Sequence, residues 1–186
     1  MKNEAQWRQQ LAAAAKNMKS IRADFVQEKV LSMLKDKLIS KGTFALRQDQ
    51  KVRLEYTTPF KYVMVINSGK IGIQDDNKTT QLDLHKNKMF QQINKIIVDG
   101  VQGNVANSAD FNTHIFESPT QLKLEMVPLQ KGMKELFSSI VVILDKKDFS
   151  AVKMVMNEKS GDYTSIQFKN KELNATLPDQ LFVVSR

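Results

Sequence analysis

The chain has 186 residues, 28 of them lysine or arginine and 20 aspartate or glutamate, for a formal charge of +8. With 41% hydrophobic and 26% charged residues it has the composition of an ordinary folded domain, and no run approaches the roughly 20 apolar residues of a membrane-crossing helix. Cysteine is absent, which excludes disulfides, thiolate metal sites, a cysteine nucleophile and a lipid-modified cysteine within these residues.

A chain of this length is expected to form one domain over 1–186. Met1-Lys2-Asn3-Glu4 lead straight into a polar helix with no visible signal peptide. An intracellular chain has this form, and so does a mature exported one behind an added methionine. Trp7, Leu11, Ala14, Ala15 and Met18 then share one helical face, with Gln6, Arg8, Gln10 and Lys16 opposite. Ser20 to Gln27 opens a strand expected to reach about Met33, with Lys35-Asp36-Lys37 as the turn. From Ser40 to Asp76 four strands follow one another. Gly42, Phe44 and Leu46 alternate with Thr43, Ala45 and Arg47; Val52, Leu54 and Tyr56 alternate with Arg53 and Glu55. Phe60 to Ile66, including Met64, is almost continuously apolar, and Ile71 and Ile73 follow the turn at Asn67-Ser68-Gly69. Strict alternation marks a sheet with one dry face, and such short turns require antiparallel neighbours.

Beyond a turn at Asp75-Asp76-Asn77, a further strand is expected to hold Leu82 and Leu84. The period then changes. Met89, Phe90, Ile93, Ile96, Ile97 and Val101 recur at helical spacing, closed by Gly100 and Gly103, which predicts a helix over 88–101. Its apolar face is either packed core or a lid over an apolar surface; the residues alone leave both open. Strands resume with Phe111, Thr113 and Ile115, then Leu122, Leu124 and Met126, stopped by Pro128. A short helical turn is expected at Gly132–Phe137. The last strands hold Ser139 to Leu144, Val152 to Met156, and Thr164 to Phe168.

No constellation for chemistry emerges. His85 and His114 have no partner at metal-ligand spacing, and no phosphate loop appears. Asp75-Asp76 and Asp145/Asp148 with Lys146-Lys147 have turn composition, and Ser138-Ser139 lacks a hydrolase elbow. A binding protein without cofactor or metal is expected rather than an enzyme. The positive charge raises nucleic acid as a partner, but the lysines are scattered and not interleaved with aromatics, so none is expected. Attraction to anionic membrane or to an acidic partner remains compatible with the charge. Ten phenylalanines and nine methionines supply an apolar inventory that reads as core, or as a surface adaptable to apolar ligands.

Gly42-Thr43-Phe44, Arg47, Arg53-Leu54-Glu55-Tyr56-Thr57-Thr58-Pro59 and Ser68-Gly69-Lys70 together resemble the early sheet of the periplasmic outer-membrane lipoprotein carriers, the LolA family. Ser20-Ile21-Arg22-Ala23-Asp24-Phe25-Val26-Gln27 and the closing Asn174-to-Phe182 segment are similar as well, in the same order. Leu54 stands where the family commonly has tryptophan, and Gln48-Asp49 follow Arg47 where it usually has proline. The resemblance implies an α+β fold, an incomplete, unclosed antiparallel β-barrel of about 11 strands whose apolar concave face is covered by helical lids. It implies a monomeric periplasmic chaperone that binds the acyl chains of lipoproteins. These would be received from an inner-membrane lipoprotein-releasing ABC transporter complex and passed to an outer-membrane acceptor. The acyl cavity and lid would be built by Trp7, Leu11, Phe44, Leu46, Leu54, Tyr56, Met64, Met89, Phe90, Ile93, Ile96 and Ile97. Arg47 occupies the position where the carriers have an arginine that ties the helical lid shut through lid carbonyls, and Arg53 competes for that role. A phospholipid or glycolipid carrier and an enzyme on a lipid substrate stand as alternatives.

Overall fold

In the computed structural model residues 3–33, 36–75 and 78–184 are described. Helix α1 (Glu4–Asn17) is followed by strands β1 (Ser20–Leu31), β2 (Asp36–Arg47), β3 (Lys51–Thr58), β4 (Tyr62–Asn67), β5 (Lys70–Asp75) and β6 (Lys78–Asp83). Then come α2 (Lys88–Val101), β7 (Phe111–Glu117), β8 (Gln121–Pro128), α3 (Lys131–Leu136), β9 (Phe137–Asp145), β10 (Ala151–Glu158) and β11 (Tyr163–Leu173). The strands form one antiparallel sheet in the order β6-β5-β4-β3-β2-β1-β11-β10-β9-β8-β7. β6 and β7 are its edges and do not pair with each other, so the expected unclosed eleven-stranded α+β architecture is what the chain forms. No helix among the described residues is long and apolar enough to cross a membrane.

Element boundaries differ from the sequence reading in a few places. β1 stops at Leu31, and Asp36 and Lys37 already belong to β2, while Lys35 lies outside the described residues, as do Asp76 and Asn77. Leu84 is not in a strand. The Asp83 carboxylate accepts the His85 N–H at 2.8 Å and turns the chain into a 3-10 turn over Leu84–Lys86. The turn between β4 and β5 is the tight two-residue kind: Ser68 and Gly69 both take left-handed backbone, with φ of 51° and 74°, matching the twist of the paired strands.

The chain groups into two compact units. The first comprises Met1–Asn17, Gln27–Leu38 and Lys95–Gln167; the second Met18–Val26, Ile39–Asn94 and Phe168–Arg186. In the first, Leu122, Leu124 and Met126 of β8 stand opposite Leu144, Val142 and Ile140 of β9, and Val142 and Ile140 stand opposite Met154 and Met156 of β10. This alternation buries one sheet face, together with Trp7 and Leu11 of α1 and Ile96, Ile97 and Val101 of α2. α2 comes close to the sheet at Gly100, where a Cβ would run into Met154. The outer edge of β7 is closed by α1. Glu4 accepts the Ile115 N–H at 2.8 Å, and Arg8 donates to the Thr113 carbonyl at 2.6 Å, satisfying groups that an edge strand otherwise exposes.

Candidate functional site

In the second unit, the register fixes which side chains share a face. Phe44, Leu54, Met64 and Ile73 form one row across β2–β5, Leu46, Val52, Ile66 and Ile71 the next, and Tyr56 lies opposite Tyr62. Five of the expected acyl-binding residues (Phe44, Leu46, Leu54, Tyr56 and Met64) are thus brought together on one apolar face. Phe44 and Leu46 are only 1% exposed, whereas Tyr56, Met64 and Ile73 are half-buried and open part of the face. Aromatic rings extend it: Phe25 packs edge-on against Tyr56 at 5.1 Å between centroids, and Tyr56 against Tyr62 at 5.8 Å. Burial pushes both tyrosine hydroxyls above the ordinary range, so they stay protonated. Phe25 and Tyr62 share this face without having been among the expected residues. Tyr62 was findable, since a hairpin pairing Leu54 with Met64 necessarily pairs Tyr56 with Tyr62.

The remaining expected residues divide between the units. Phe90 and Ile93, half-buried on the first half of α2, belong to the second unit. The Met89 side chain lies outside the described residues. Trp7, Leu11, Ile96 and Ile97 belong to the first unit and are buried there. Trp7 is committed to its surroundings: Nε1 donates to Glu117 at 3.3 Å, Phe149 packs against the ring, and the Lys146 ammonium lies 5.1 Å from its centroid.

The arginines belong to the opposite face. Ala45, Arg47 and Arg53 alternate with the apolar row, and there the C-terminal segment lies over the sheet. Ala45, Val65, Leu177 and Phe182 form a buried cluster with Val63, Ala175, Leu181 and Val184 around it. Arg47 donates to the Leu177 carbonyl at 2.9 Å, to both Asp49 oxygens at 2.8 and 2.7 Å, and to Asp179 at 2.6 Å. Its guanidinium also lies 5.4 Å from the Phe182 ring centroid. Lys51 reaches Asp179 at 2.8 Å, and Arg53 donates to the Leu181 carbonyl at 3.1 Å. Arg47 and Arg53 are the two residues expected as the lid latch, and here they engage the C-terminal segment. Both arginines do hold backbone carbonyls, but those of the C-terminal segment, because strand alternation aims them away from the face of Phe44 and Leu46. The Arg47 and Lys51 charges hold the Asp49 and Asp179 carboxyls below the usual carboxylate range, Arg47 acting most on Asp49 and Lys51 most on Asp179. Asp49, one of the two residues replacing the family's proline, thus supplies the arginine's bidentate partner. Among the described residues no group of three histidines, aspartates and glutamates could hold a metal ion.

An open antiparallel sheet carrying helices presents here a half-buried aromatic and aliphatic face, the kind of surface from which an apolar ligand displaces water. The chain belongs to the family described as outer membrane lipoprotein carrier protein LolA, whose model matches residues 16–185. Its function is therefore of the lipid- or lipoprotein-binding carrier kind. Among solved structures it is similar to an uncharacterized conserved protein of Thermus thermophilus, with 12% identity, a TM-score of 0.57, and 96% of this chain and 94% of that one covered. It is also similar to the lipoprotein LppX of Mycobacterium tuberculosis, with 10% identity, a TM-score of 0.54, and 94% and 96% covered. A third similarity is to the MucA/MucB complex of Pseudomonas aeruginosa, with 16% identity and a TM-score of 0.53, where 97% of this chain spans 61% of the other. At these identities the likeness is one of fold. No curated protein matches the chain in sequence.

Proposed function

We propose that this protein is a monomeric periplasmic carrier that shields the acyl chains of lipoproteins and moves them from the inner to the outer membrane. It takes them from an ATP-driven releasing complex and hands them to an outer-membrane acceptor, with no covalent step, cofactor or nucleic acid. What supports the reading, beyond family membership, is the half-buried apolar face around Tyr56, Met64 and Ile73. Removing an acyl chain from water is worth about 0.8 kcal/mol per methylene, so a face of this kind can hold a lipid anchor by burial alone.

Native mass spectrometry of the protein isolated from periplasm tests cargo, and a two-step transfer assay tests the route. Inner-membrane vesicles should release a triacylated lipoprotein into a soluble one-to-one complex, which outer-membrane vesicles should then accept. Co-purification of phospholipid or glycolipid without lipoprotein, and no release in the first step, would replace lipoprotein by free lipid as the cargo. Turnover of a lipid ester by the purified protein would move the reading to an enzyme.

A further inference from the structure

The apolar stripe of α2 is interrupted by a polar residue. At offsets of four, seven and eleven from Phe90 come Asn94, Ile97 and Val101, which places all four on one side of the helix. Ile97 is 8% exposed and Val101 is sealed, so this side turns inward, while Phe90 at its other end is half-buried. Asn94 thus stands where the stripe passes from covered to part-open. Its Oδ1 is shut off from solvent and accepts no hydrogen bond. An oxygen so placed has given up water without a replacement, and a leucine there would fill the stripe without that cost. The Thr113 hydroxyl is also buried without a partner, but its hydrogen can swing to suit its surroundings, whereas a carboxamide oxygen only accepts. Asn94 as a whole is half-buried. The last torsion of an asparagine side chain is broad, so a half-turn of the carboxamide takes Oδ1 out of the covered position.

We infer that Asn94 reads the head of an acyl chain, its Oδ1 accepting the N–H of an acyl amide. This role rests on the carrier reading and gives its apolar site a chemical preference. A chain lying along the part-open stretch of Phe90 and Ile93 places its carbonyl end at Asn94. An amide carries a donor on the atom joined to that carbonyl, whereas an ester carries none there and an ionised fatty acid brings a further acceptor. The amide N–H restores the bond that Asn94 lacks; the other heads leave it unmade. A site with a buried acceptor rejects ligands without the matching donor more strongly than a plain apolar wall does. The chemistry read is an N-acyl group, whether on the amino end of a polypeptide or on an amino sugar.

The test is competition against a fluorescent fatty acid by N-methylpalmitamide and methyl palmitate, which differ only in an N–H against an oxygen. The amide should bind roughly tenfold or more tighter. In Asn94→Leu the two should bind within about twofold of each other, with an unchanged or raised melting temperature because the unpaired oxygen is gone. Gln92→Leu, on the far side of α2, should keep the preference. Without any variant, the side-chain amide NMR resonances of Asn94 should move further with the amide than with the ester. N-palmitoyl-serylserine and N-palmitoylglucosamine distinguish the two sources: the tighter ligand names polypeptide or sugar, and its advantage over methyl palmitate should vanish in Asn94→Leu. Equal binding of amide and ester to the parent, an amide preference that survives in Asn94→Leu, or equal movement of the Asn94 resonances would each overturn the role of Asn94 and leave the carrier reading standing. Binding of neither ligand would remove both.

Discussion

Arg47 shows what a single residue discloses in sequence and what it conceals. That it holds backbone carbonyls was legible, because guanidinium offers five donors and its position matched a carrier arginine. Which carbonyls it holds was not, because its partners Leu177 and Asp179 lie far along the chain and only the strand register orients it towards them. The cluster makes an acid-specific prediction. Asp49 and Asp179 titrate below their unfolded value of about 3.9. Their stabilisation is therefore complete above that value and is lost as pH falls through the lowered native values. Protection of the amides over residues 177–184, taken relative to their intrinsic exchange rates, should be insensitive to these carboxyls between pH 5 and pH 8 and should fall below about pH 4. In Asp179→Asn the segment should exchange faster already at pH 7, with a flatter acid response. Exchange in Arg47→Leu should be faster still, since the Leu177 carbonyl loses its donor as well. Wild-type exchange at pH 7 in both variants would remove the cluster as the anchor of the C-terminal segment.

At the scale of elements, α2 was the most readable piece, and its ambiguity was also the most instructive. Helical spacing of apolar residues predicts an apolar face, and the helix duly spans Lys88–Val101. Spacing cannot say how completely each position on that face is covered, and the coverage changes along the helix. Ile96 is 1% exposed in the core of the first unit, whereas Ile93, one turn earlier, is half-buried. The core and lid readings therefore separate by position. Ile96→Ala should cost about 2–5 kcal/mol of stability, as core truncations do. Ile93→Asp should change stability by no more than about 1 kcal/mol, because its carboxylate can reach water, and should abolish competition between a fluorescent fatty acid and palmitate. Melting and binding curves on both variants decide it. A folded Ile93→Asp protein with parental acyl affinity would exclude Ile93 from the site, and a neutral Ile96→Ala would contradict its place in the core.

For the whole molecule, alternation and short turns were enough to predict an antiparallel sheet, since each strand's pairing is local to a hairpin. The pairing of β1 with β11 and the division into two units were not legible, because nothing local records a contact between the first strand and the last. That division bears on how the molecule unfolds. Each unit is assembled from three separate stretches of chain, and β1, β2, α2 and β11 each begin in one unit and finish in the other. Neither unit can complete its strands without chain that also serves the other, so the two should not melt independently, and unfolding should be a single cooperative transition. The sequence supplies the reporters. Trp7, the one tryptophan, is buried in the first unit, and Tyr56 and Tyr62 lie in the second. In urea, Trp7 fluorescence, fluorotyrosine NMR of Tyr56 and Tyr62, and far-ultraviolet circular dichroism should give coincident midpoints. A destabilising Ile96→Ala substitution in the first unit should shift the tyrosine signals of the second by the same amount as Trp7. Separated midpoints, or a shift confined to Trp7, would show that the units fold as independent domains despite the shared strands.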